Sequence, residues 1–279
     1  MVEHIESLSQ TQTDEANAHF WDEMCGTVLA DQLGVYDDSP VSLRKFDDWY
    51  MNHYDYLYKF IPFQDLEGKD VLEVGLGYGT VSELLAKTKA RYTGLDIAKG
   101  PVDFINHRLS QNNLEGKAVQ GSILEPPFDT ERFDYIVAIG CLHHTGSLKN
   151  ALESVCRLLK KGGGATIMVY SATSYKHWAN WPARTLKRIF SDPTKYHSTN
   201  EIDDEMRKMY DTAKDGDWAP YTEFVTKREL QFLARDFSRC QITDTNVDVG
   251  PLKPILSRKQ ACKWFGPLLG RDHYCRLVK

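Results

Sequence analysis

Three glycines at alternate positions, Gly75, Gly77 and Gly79, follow an apolar run that begins at Val71. Glycine reaches backbone angles that are closed to other residues, and it places no side chain between the backbone and a neighbouring molecule. Apolar residues recur with helical spacing after Thr80, so the pattern predicts a strand, a tight loop and a helix. The free N–H groups of that helix would face the same crevice as the loop. The stretch is therefore suited to hold a ligand.

The spacing separates two classes of ligand. A dinucleotide fingerprint that starts at Gly75 requires glycine at position 80, where the chain has Thr80. Asp96 ends a predicted strand that starts at Arg91, about 20 positions beyond the glycine loop, where an acid can accept hydrogen bonds from ribose hydroxyls. With Glu73 before the loop and no basic residues around it, the pattern favours a nucleoside bearing an amino acid over a pyrophosphate.

Composition excludes several functional classes. The chain has 279 residues, 42% hydrophobic and 26% charged, which is enough for one substantial core with a cap or for two small domains. No apolar run approaches the roughly 18 residues of a membrane-spanning helix, and the first residues lack the order of a secretory signal, so we expect a cytoplasmic protein without membrane contact. A net charge of −5 gives no attraction to nucleic acid. Six cysteines without a Cys-x-x-Cys pair predict neither a zinc site nor a disulfide framework, and we expect no metal.

Strand and helix patterns alternate through the middle of the chain. After the first two strands, the sequence predicts a helix over 101–112, a strand at Lys117–Gln120, a long apolar strand from Phe133 and a helix from Leu148 to Lys160. The helix would end at the lysines and glycines of 160–164, with both lysines in solvent. A fifth strand would follow over 165–170. This order predicts a doubly wound parallel sheet with its ligand at the carboxyl ends of the strands.

The flanks of this core divide the chain into four units. Residues 1–62 form a predicted N-terminal helical lid whose first 18 residues read as a frayed polar leader, 63–170 form the cofactor-binding core, 171–226 an inserted cap, and 227–279 a helix and strands that complete the sheet. The aromatic run over 46–60 has two readings: Trp49, Tyr50, Leu57 and Phe60 pack against the core, or a tyrosine-rich helix closes over the cofactor.

These motifs resemble those of the class I S-adenosylmethionine-dependent methyltransferases, in particular the bacterial small-molecule group. The resemblance rests on Glu-x-Gly-x-Gly-x-Gly, on Asp96, on the strand and loop over 133–145 and on Leu-Leu-Lys-Lys-Gly-Gly-Gly, and it covers about 69–170. It implies a Rossmann-like seven-stranded sheet, mostly parallel with an antiparallel last strand. The cofactor would be S-adenosyl-L-methionine and its product S-adenosyl-L-homocysteine. A weaker similarity, to a bacterial subgroup associated with secondary metabolism or surface sugars, covers Phe20-Trp21, Cys25-Gly26 and Tyr-Asp-Thr at 210–212.

The resemblance also implies the residues that hold the cofactor. Members of this group often carry an acid at the position of Ser122, hydrogen-bonded to the adenine amino group; serine is a weaker acceptor. The predicted cofactor-binding residues are Tyr54 at the methionine carboxylate, Glu73, Gly75, Gly77 and Tyr78 around the methionine, Asp96 and Ile97 at the ribose, Ser122 and Ile123 at the adenine, and Gly140 beneath the sulfonium.

The predicted acceptor site contains two adjacent histidines, His143 and His144, just past the fourth strand. A histidine there could act as a general base near neutral pH; alternatively, the pair holds the loop. Tyr170 and Trp178 are predicted substrate-binding residues. Methyl transfer from a sulfonium mainly requires that the protein position the acceptor and exclude water.

Three hypotheses follow. The first is a methyltransferase that acts on oxygen, nitrogen or carbon of a small organic acceptor and that could serve secondary metabolism. The sequence leaves open whether the protein forms a homodimer. The second is a nucleic-acid or protein methyltransferase, against which stand the missing Asn-Pro-Pro-Tyr or Asp-Pro-Pro-Tyr motif and the absent basic stripe. The third is a non-methylating S-adenosylmethionine-binding protein, for example a fold recruited to cyclisation.

Overall fold

One sheet organises the described part of the chain. The computed structural model describes residues 9–24, 27–196, 204–212, 216–250 and 254–279, so the start of the predicted leader and the Cys25-Gly26 pair lie outside it. Among the described residues seven strands form a sheet in the order β3-β2-β1-β4-β5-β7-β6. The strands are β1 (Asp70–Val74), β2 (Arg91–Asp96), β3 (Lys117–Gln120), β4 (Phe133–Ile139), β5 (Leu159–Tyr170), β6 (Arg239–Thr245) and β7 (Asp272–Val278).

The topology confirms the predicted fold class. Strands β1 to β5 are parallel, and β7 runs antiparallel to both β5 and β6. The chain builds from β1 outward through β2 to β3 and then returns to add β4 on the other side of β1. This reversal opens a crevice at the carboxyl ends of β1 and β4, where open α/β sheets bind their ligands.

The helices lie before, between and after the strands. Among the described residues, no helix is long and apolar enough to cross a bilayer. In chain order they are α1 (Gln10–Met24), α2 (Thr27–Gln32), α3 (Pro40–His53), α4 (Leu57–Phe60), α5 (Thr80–Lys87), α6 (Lys99–Gln111), α7 (Leu148–Leu158), α8 (Tyr175–Asn180), α9 (Pro182–Ile189), α10 (Asp204–Lys208), α11 (Lys227–Leu233), α12 (Arg258–Trp264) and α13 (Gly266–Leu269).

Both faces of the sheet are covered, which explains the unbroken apolar run in β4. Successive side chains of a strand point to opposite faces. Ile136 and Ala138 accordingly join the core with α7 and α11, whereas Val137 joins the core with α4, α5 and α6. The central strands are held between two layers of helices, so the loops at their carboxyl ends have fixed positions.

The polar leader expected over the first 18 residues is wrong for residues 10–18, which belong to α1. The reason is that α1 docks through polar contacts, which hydrophobic patterning does not detect. Asn17 is buried and its Nδ2 donates to the carbonyl of His144 at 2.6 Å. Gln10 Nε2 donates to the carbonyl of Thr145 at 2.8 Å. The helix therefore packs on the loop that follows β4.

The predicted solvated helix end at 160–161 is wrong for Lys160. Helix α7 ends at Leu158, and β5 begins at once. Lys160 Nζ then lies 2.7 Å from Asp70 Oδ2 and 2.9 Å from Asp134 Oδ2, and it links the amino-terminal ends of β1, β4 and β5. Hydrogen bonds from Arg91, and then from Lys160, hold the pKa of Asp70 well below its usual range.

We predict that Lys160→Ala lowers the free energy of unfolding at pH 7, because the ion pairs of Lys160 with Asp70 and Asp134 are lost. A carboxylate with a lowered folded-state pKa stabilises the fold above its unfolded pKa and loses this effect as pH falls through the lower value. The deficit should therefore persist from pH 7 to about pH 4. Urea unfolding followed by circular dichroism measures it.

The matched control is Lys161→Ala. Lys161 is the neighbouring residue, has the same charge and is exposed, so its removal should change the free energy of unfolding by less than about 0.5 kcal/mol. Equal urea midpoints for the two variants would show that the Lys160 bridge does not stabilise the sheet.

Candidate functional site

Different structural constraints explain why glycine stands at each of the three positions in the loop after β1. All have positive φ angles, +75°, +53° and +79° for Gly75, Gly77 and Gly79. A Cβ on Gly75 would lie 2.5 Å from Cys141 Cβ, and one on Gly79 would lie 2.3 Å from Ile105 Cδ1. A Cβ on Gly77 would meet no atom within 4 Å. The outer glycines thus permit close packing of the protein, and Gly77 leaves bare backbone against open space.

The carboxylate of Asp96 fastens this loop to the end of β2. Its Oδ2 accepts from the backbone N–H of Leu76 at 2.8 Å, and its Oδ1 accepts from that of Ala98 at 2.9 Å. Burial raises the pKa of Asp96, and these two backbone hydrogen bonds oppose the rise. A carboxylate offers about four acceptor positions, so Asp96 can still accept hydrogen bonds from ligand hydroxyls.

Glu73 places a second carboxyl group beneath the loop. It is buried, and the hydroxyl of Tyr92 donates to its Oε2 at 2.6 Å. Burial raises the pKa of Glu73 to about 7, against the opposing hydrogen bond from Tyr92. Its protonation therefore changes near neutral pH, so a nearby cationic ligand would favour the charged form.

A cavity of about 520 Å³ lies over the carboxyl ends of β1, β2 and β4, which is within the usual range for small-molecule sites. The structure places every residue predicted to bind the cofactor on its wall: Tyr54, Glu73, Gly75, Gly77, Tyr78, Asp96, Ile97, Ser122, Ile123 and Gly140. Residues predicted from separate sequence motifs thus line one cavity.

Helix α3 supplies an aromatic wall. The ring of Phe46 lies 4.4 Å from that of Tyr78, whose other neighbour is Phe104 at 4.9 Å. Trp49 and Tyr50 of the same helix also line the cavity. Leu57 and Phe60, by contrast, are buried against the sheet. The aromatic run therefore serves both packing and the cavity wall, divided at the end of α3.

The two histidines after β4 have different surroundings. His143 is fully buried and does not line the cavity; its ring packs 4.2 Å from that of Tyr170. Burial holds the pKa of His143 well below its usual range. His144 lines the cavity, and its ring lies 4.8 Å from that of Trp21. Only His144 is placed where it can meet a ligand.

The predicted substrate residues Tyr170 and Trp178 do not line the cavity. Tyr170 lies behind the wall and donates from its hydroxyl to Asp211 Oδ1 at 3.1 Å. Trp178 lies partly exposed on α8. The segment after β5 instead contributes Tyr210, Asp211 and Thr212 to the wall.

Sequence reasoning missed several wall residues because they lie in the flanks. Helix α1 contributes Asp14, Asn17 and Trp21, although its polar start predicted no structure. A signal existed in the weaker similarity that covers Phe20-Trp21 and the Tyr-Asp-Thr segment at 210–212. No periodic pattern linked those segments to the core.

The charge of the cavity wall has one sign. Within the part of the chain that the structure describes, the wall contains four acids and no lysine or arginine; the acids are Asp14, Glu73, Asp96 and Asp211. At low local dielectric such a set favours cationic or hydrogen-bond-donating ligands and disfavours anions. Among the described residues, no group of three or more His, Cys, Asp or Glu side chains is arranged to hold a metal ion.

Residues 71–163, a third of the chain, match the family described as "Methyltransferase domain". The fatty-acid O-methyltransferase of Mycolicibacterium smegmatis is 34% identical over 134 residues, which are 47% of this chain and 48% of that protein. The demethylmenaquinone methyltransferase of Tropheryma whipplei is 30% identical over 146 residues, 49% of this chain and 60% of that protein. The chain thus spans about half the length of the curated relatives it matches.

The similarity of fold to a solved structure extends over nearly the whole chain. The putative methyltransferase crystallised with the Haloferax volcanii methyltransferase activator Trm112 has a TM-score of 0.57 at 15% identity, over 98% of this chain and 99% of that one. At this identity the likeness concerns the fold alone. The strand order of the sheet and the domain match over residues 71–163 show a Rossmann-like fold of the class I methyltransferase type.

Proposed function

We propose that this protein transfers a methyl group from S-adenosyl-L-methionine to a small organic acceptor. The observation that carries the proposal is the convergence of bare backbone at Gly77, the carboxylate of Asp96 and the small side chain of Ser122 on one cavity at the switch point of the sheet. When bound, the cofactor supplies an activated methyl group on a sulfonium.

The cavity fits this cofactor in charge and in shape. S-adenosyl-L-methionine carries a sulfonium and an ammonium group, and the wall carries acids without described lysines or arginines. Gly77 leaves room for close approach of a ligand to the backbone, because no atom lies within 4 Å of the Cβ position. These features support cofactor binding by the protein's own residues.

Individual roles follow from the donors and acceptors present. We assign the ribose hydroxyls to the free acceptor positions of Asp96, and the adenine to Ser122 and Ile123. Ser122 Oγ accepts from the backbone N–H of Leu124 at 3.3 Å; a hydroxyl has a second lone pair and a proton of its own. Serine can therefore still pair with the adenine edge, more weakly than an acid would.

Helix α3 is assigned the role of a lid. Burial raises the pKa of Tyr54 to about 12, so its hydroxyl stays protonated and remains a hydrogen-bond donor at neutral pH. It lies on the cavity wall with Trp49 and Tyr50, and we assign it to the methionine carboxylate. Residues 171–226 are assigned the role of a cap, since Tyr210, Asp211 and Thr212 complete the wall.

The acceptor class is supported by the relatives. The names of the two curated relatives point to small-molecule chemistry, on a fatty acid in one and on a demethylmenaquinone in the other. The absence of lysine and arginine from the described cavity wall gives no attraction to a nucleic-acid backbone.

Calorimetric titration with S-adenosyl-L-homocysteine tests the binding half of the proposal, and we expect micromolar affinity. Incubation with S-adenosyl-L-methionine labelled in its methyl group and a panel of phenols, amines and carboxylic acids tests transfer. Binding without any labelled product would favour the non-methylating alternative. No heat of binding would contradict the proposal itself.

The bare backbone at Gly77 generates a prediction. Gly77→Ala should weaken binding of S-adenosyl-L-homocysteine at least tenfold, because the new methyl group occupies the cavity face and the positive φ is strained. The strain alone should cost about 1–2 kcal/mol of stability. Calorimetry and thermal unfolding measure the two effects.

Gly68→Ala separates the two effects. Gly68 has a φ of +68° and likewise no atom within 4 Å of the Cβ position, but it is exposed outside the cavity. This variant should lose comparable stability and keep wild-type affinity. A similar loss of affinity in both variants would show that strain, and not the cavity face, is responsible.

The ribose assignment generates a second prediction. Asp96→Asn should weaken S-adenosyl-L-homocysteine binding by roughly ten- to hundredfold, the range for loss of a hydrogen bond to a charged group. An asparagine has one acceptor oxygen for the two backbone donors, so the loop also loses part of its anchor. Asp103→Asn, at an exposed residue of α6 paired with Lys99, is the charge-matched control. Unchanged affinity in Asp96→Asn would refute the assignment.

A further inference from the structure

The tautomer of His144 follows from its surroundings. Nδ1 lies 2.7 Å from the backbone carbonyl oxygen of Tyr221. A carbonyl oxygen only accepts hydrogen bonds, so Nδ1 carries the proton. In the neutral ring Nε2 then has a free lone pair. This atom is buried and has no hydrogen-bond partner among the described residues.

The lone pair of His144 faces a carboxylate. Asp211 Oδ2 lies 3.6 Å from His144 Nε2, beyond the length of an N–H···O hydrogen bond. Oδ2 also has no hydrogen-bond partner among the described residues, while Oδ1 accepts from Tyr170. Two acceptor atoms cannot pair with each other. Both atoms are buried, and both belong to residues of the cavity wall, so a donor group that reaches them from the cavity would supply the missing hydrogen bond.

The protein holds this pair from two sides. Asn17 Nδ2 of α1 donates to the carbonyl oxygen of His144 at 2.6 Å, and the ring of Trp21 lies against the imidazole. On the other side, Asp211 is fixed by the Tyr170 hydroxyl and by its own carbonyl, which accepts from the backbone N–H of Ala219 at 3.1 Å. The arrangement is therefore built by four separate segments of the chain.

The wall's charge restricts what can bind there. A carboxylate acceptor would bring a negative charge beside Asp211 and Asp14, and no lysine or arginine lies on the described wall itself. Lys176 and Arg271 pack behind the wall against the ring of Tyr210. Like charges in a desolvated site repel strongly. A neutral hydroxyl or amine, by contrast, would supply the missing hydrogen-bond donor.

We propose that His144 and Asp211 form the acceptor subsite, that His144 Nε2 takes the proton of an acceptor hydroxyl or amine, and that the site excludes carboxylate acceptors. This inference rests on the proposed methyltransferase function. Asp211 orients the acceptor's proton and stabilises the imidazolium that forms.

The step balances as follows. The acceptor oxygen or nitrogen forms a bond to the methyl carbon with its own lone pair, while the carbon–sulfur bond breaks and leaves its electron pair on sulfur. The acceptor's proton passes to His144 Nε2. The imidazolium then pairs with the Asp211 carboxylate and returns the proton to water. The base needs no separate activation, because its neutral tautomer is set by the Tyr221 carbonyl.

The charged and titratable groups around His144 fit this role. Burial lowers the pKa of His144, whereas Asp211 and the carbonyl of Tyr221 oppose the decrease. His143 packs beside it with a ring separation of 4.2 Å, and Tyr170 lies behind both rings. On the helix side, Asp14 of α1 lies on the same cavity wall. His144 is thus neutral, and able to accept a proton, at pH 7.

Nuclear magnetic resonance of protein with ¹⁵N-labelled histidine tests the pair without any cofactor or turnover. We expect the His144 signals of the Nδ1–H tautomer. Asp211→Asn should shift the Nε2 resonance and lower the pKa of His144, since a carboxylate that favours the imidazolium has been removed. Asp14→Asn removes another acid of the same wall, one that pairs with Gln10, and should leave both unchanged. An Nε2–H tautomer, or equal effects of the two variants, would overturn the proposal.

Turnover tests the acceptor class. A phenol, a primary aromatic amine and a long-chain fatty acid serve as probes with labelled S-adenosyl-L-methionine. We expect product from the phenol or the amine and none from the fatty acid. Asp211→Asn should lower kcat by roughly ten- to 100-fold, the range for loss of a hydrogen bond to a charged group, because the imidazolium of His144 loses its carboxylate partner. It should leave S-adenosyl-L-homocysteine affinity within twofold of wild type.

The outcomes separate this inference from the function on which it rests. If wild-type protein does not bind S-adenosyl-L-homocysteine, the proposed function fails first. If the cofactor product binds but the fatty acid is methylated as well as the phenol or the amine, only the acceptor subsite is overturned. A normal kcat in Asp211→Asn would likewise overturn the subsite alone.

Discussion

The floor and the aromatic side of the cavity depend on the hydrogen bonds and ion pairs of the buried Arg108 guanidinium. Arg108 lies on α6 with 1% of its surface exposed. It donates to Glu83 of α5 at 2.7 Å, to the backbone carbonyl of Tyr78 at 2.9 Å, and to the carboxylate of Asp47 on α3. One side chain therefore joins the glycine loop, which forms the floor of the cavity, to the aromatic helix that forms its side. Removal of one partner would leave a buried charge uncompensated, which is far costlier than loss of an exposed pair.

The core of the fold could be predicted from the sequence because its signals are local. The third strand has the predicted bounds, Lys117–Gln120, and the alternation of strands and helices predicted a doubly wound parallel sheet. Features that depend on distant partners could not be predicted. Lys160 and Asp70 are 90 positions apart, and Asn17 and His144 are 127 apart. Neither a helix-end pattern nor a polar leader contains information about such partners, so the fifth strand and the first helix were both misread at their starts.

The residues of the site also fall into two groups, those that local motifs predicted and those that depend on distant parts of the chain. The predicted cofactor residues other than Tyr54 lie at or just beyond the carboxyl ends of core strands, which parallel strands bring to one edge of the sheet. The acceptor side is assembled from α1, the turn after β4 and the segment around Asp211, which no single motif spans. His143 and His144 illustrate the limit. They lie on a 3₁₀ turn, where successive side chains point about 120° apart, so only one of two neighbours could face the cavity, and the sequence could not tell which.

This division also determines what the likeness to known methyltransferases can say about the acceptor. The matched domain, residues 71–163, contains the glycine loop, Asp96 and His144. Asp14, Trp21 and Asp211 lie outside it, yet they line the same cavity, on the side where we propose that the acceptor binds. A relative can therefore share the domain and still act on a different acceptor. The fatty-acid O-methyltransferase matches about half of this chain, whereas the wall around His144 has acids where a carboxylate substrate would need a cation. We therefore expect the charge of the flanking segments, rather than the shared core, to decide between acceptors.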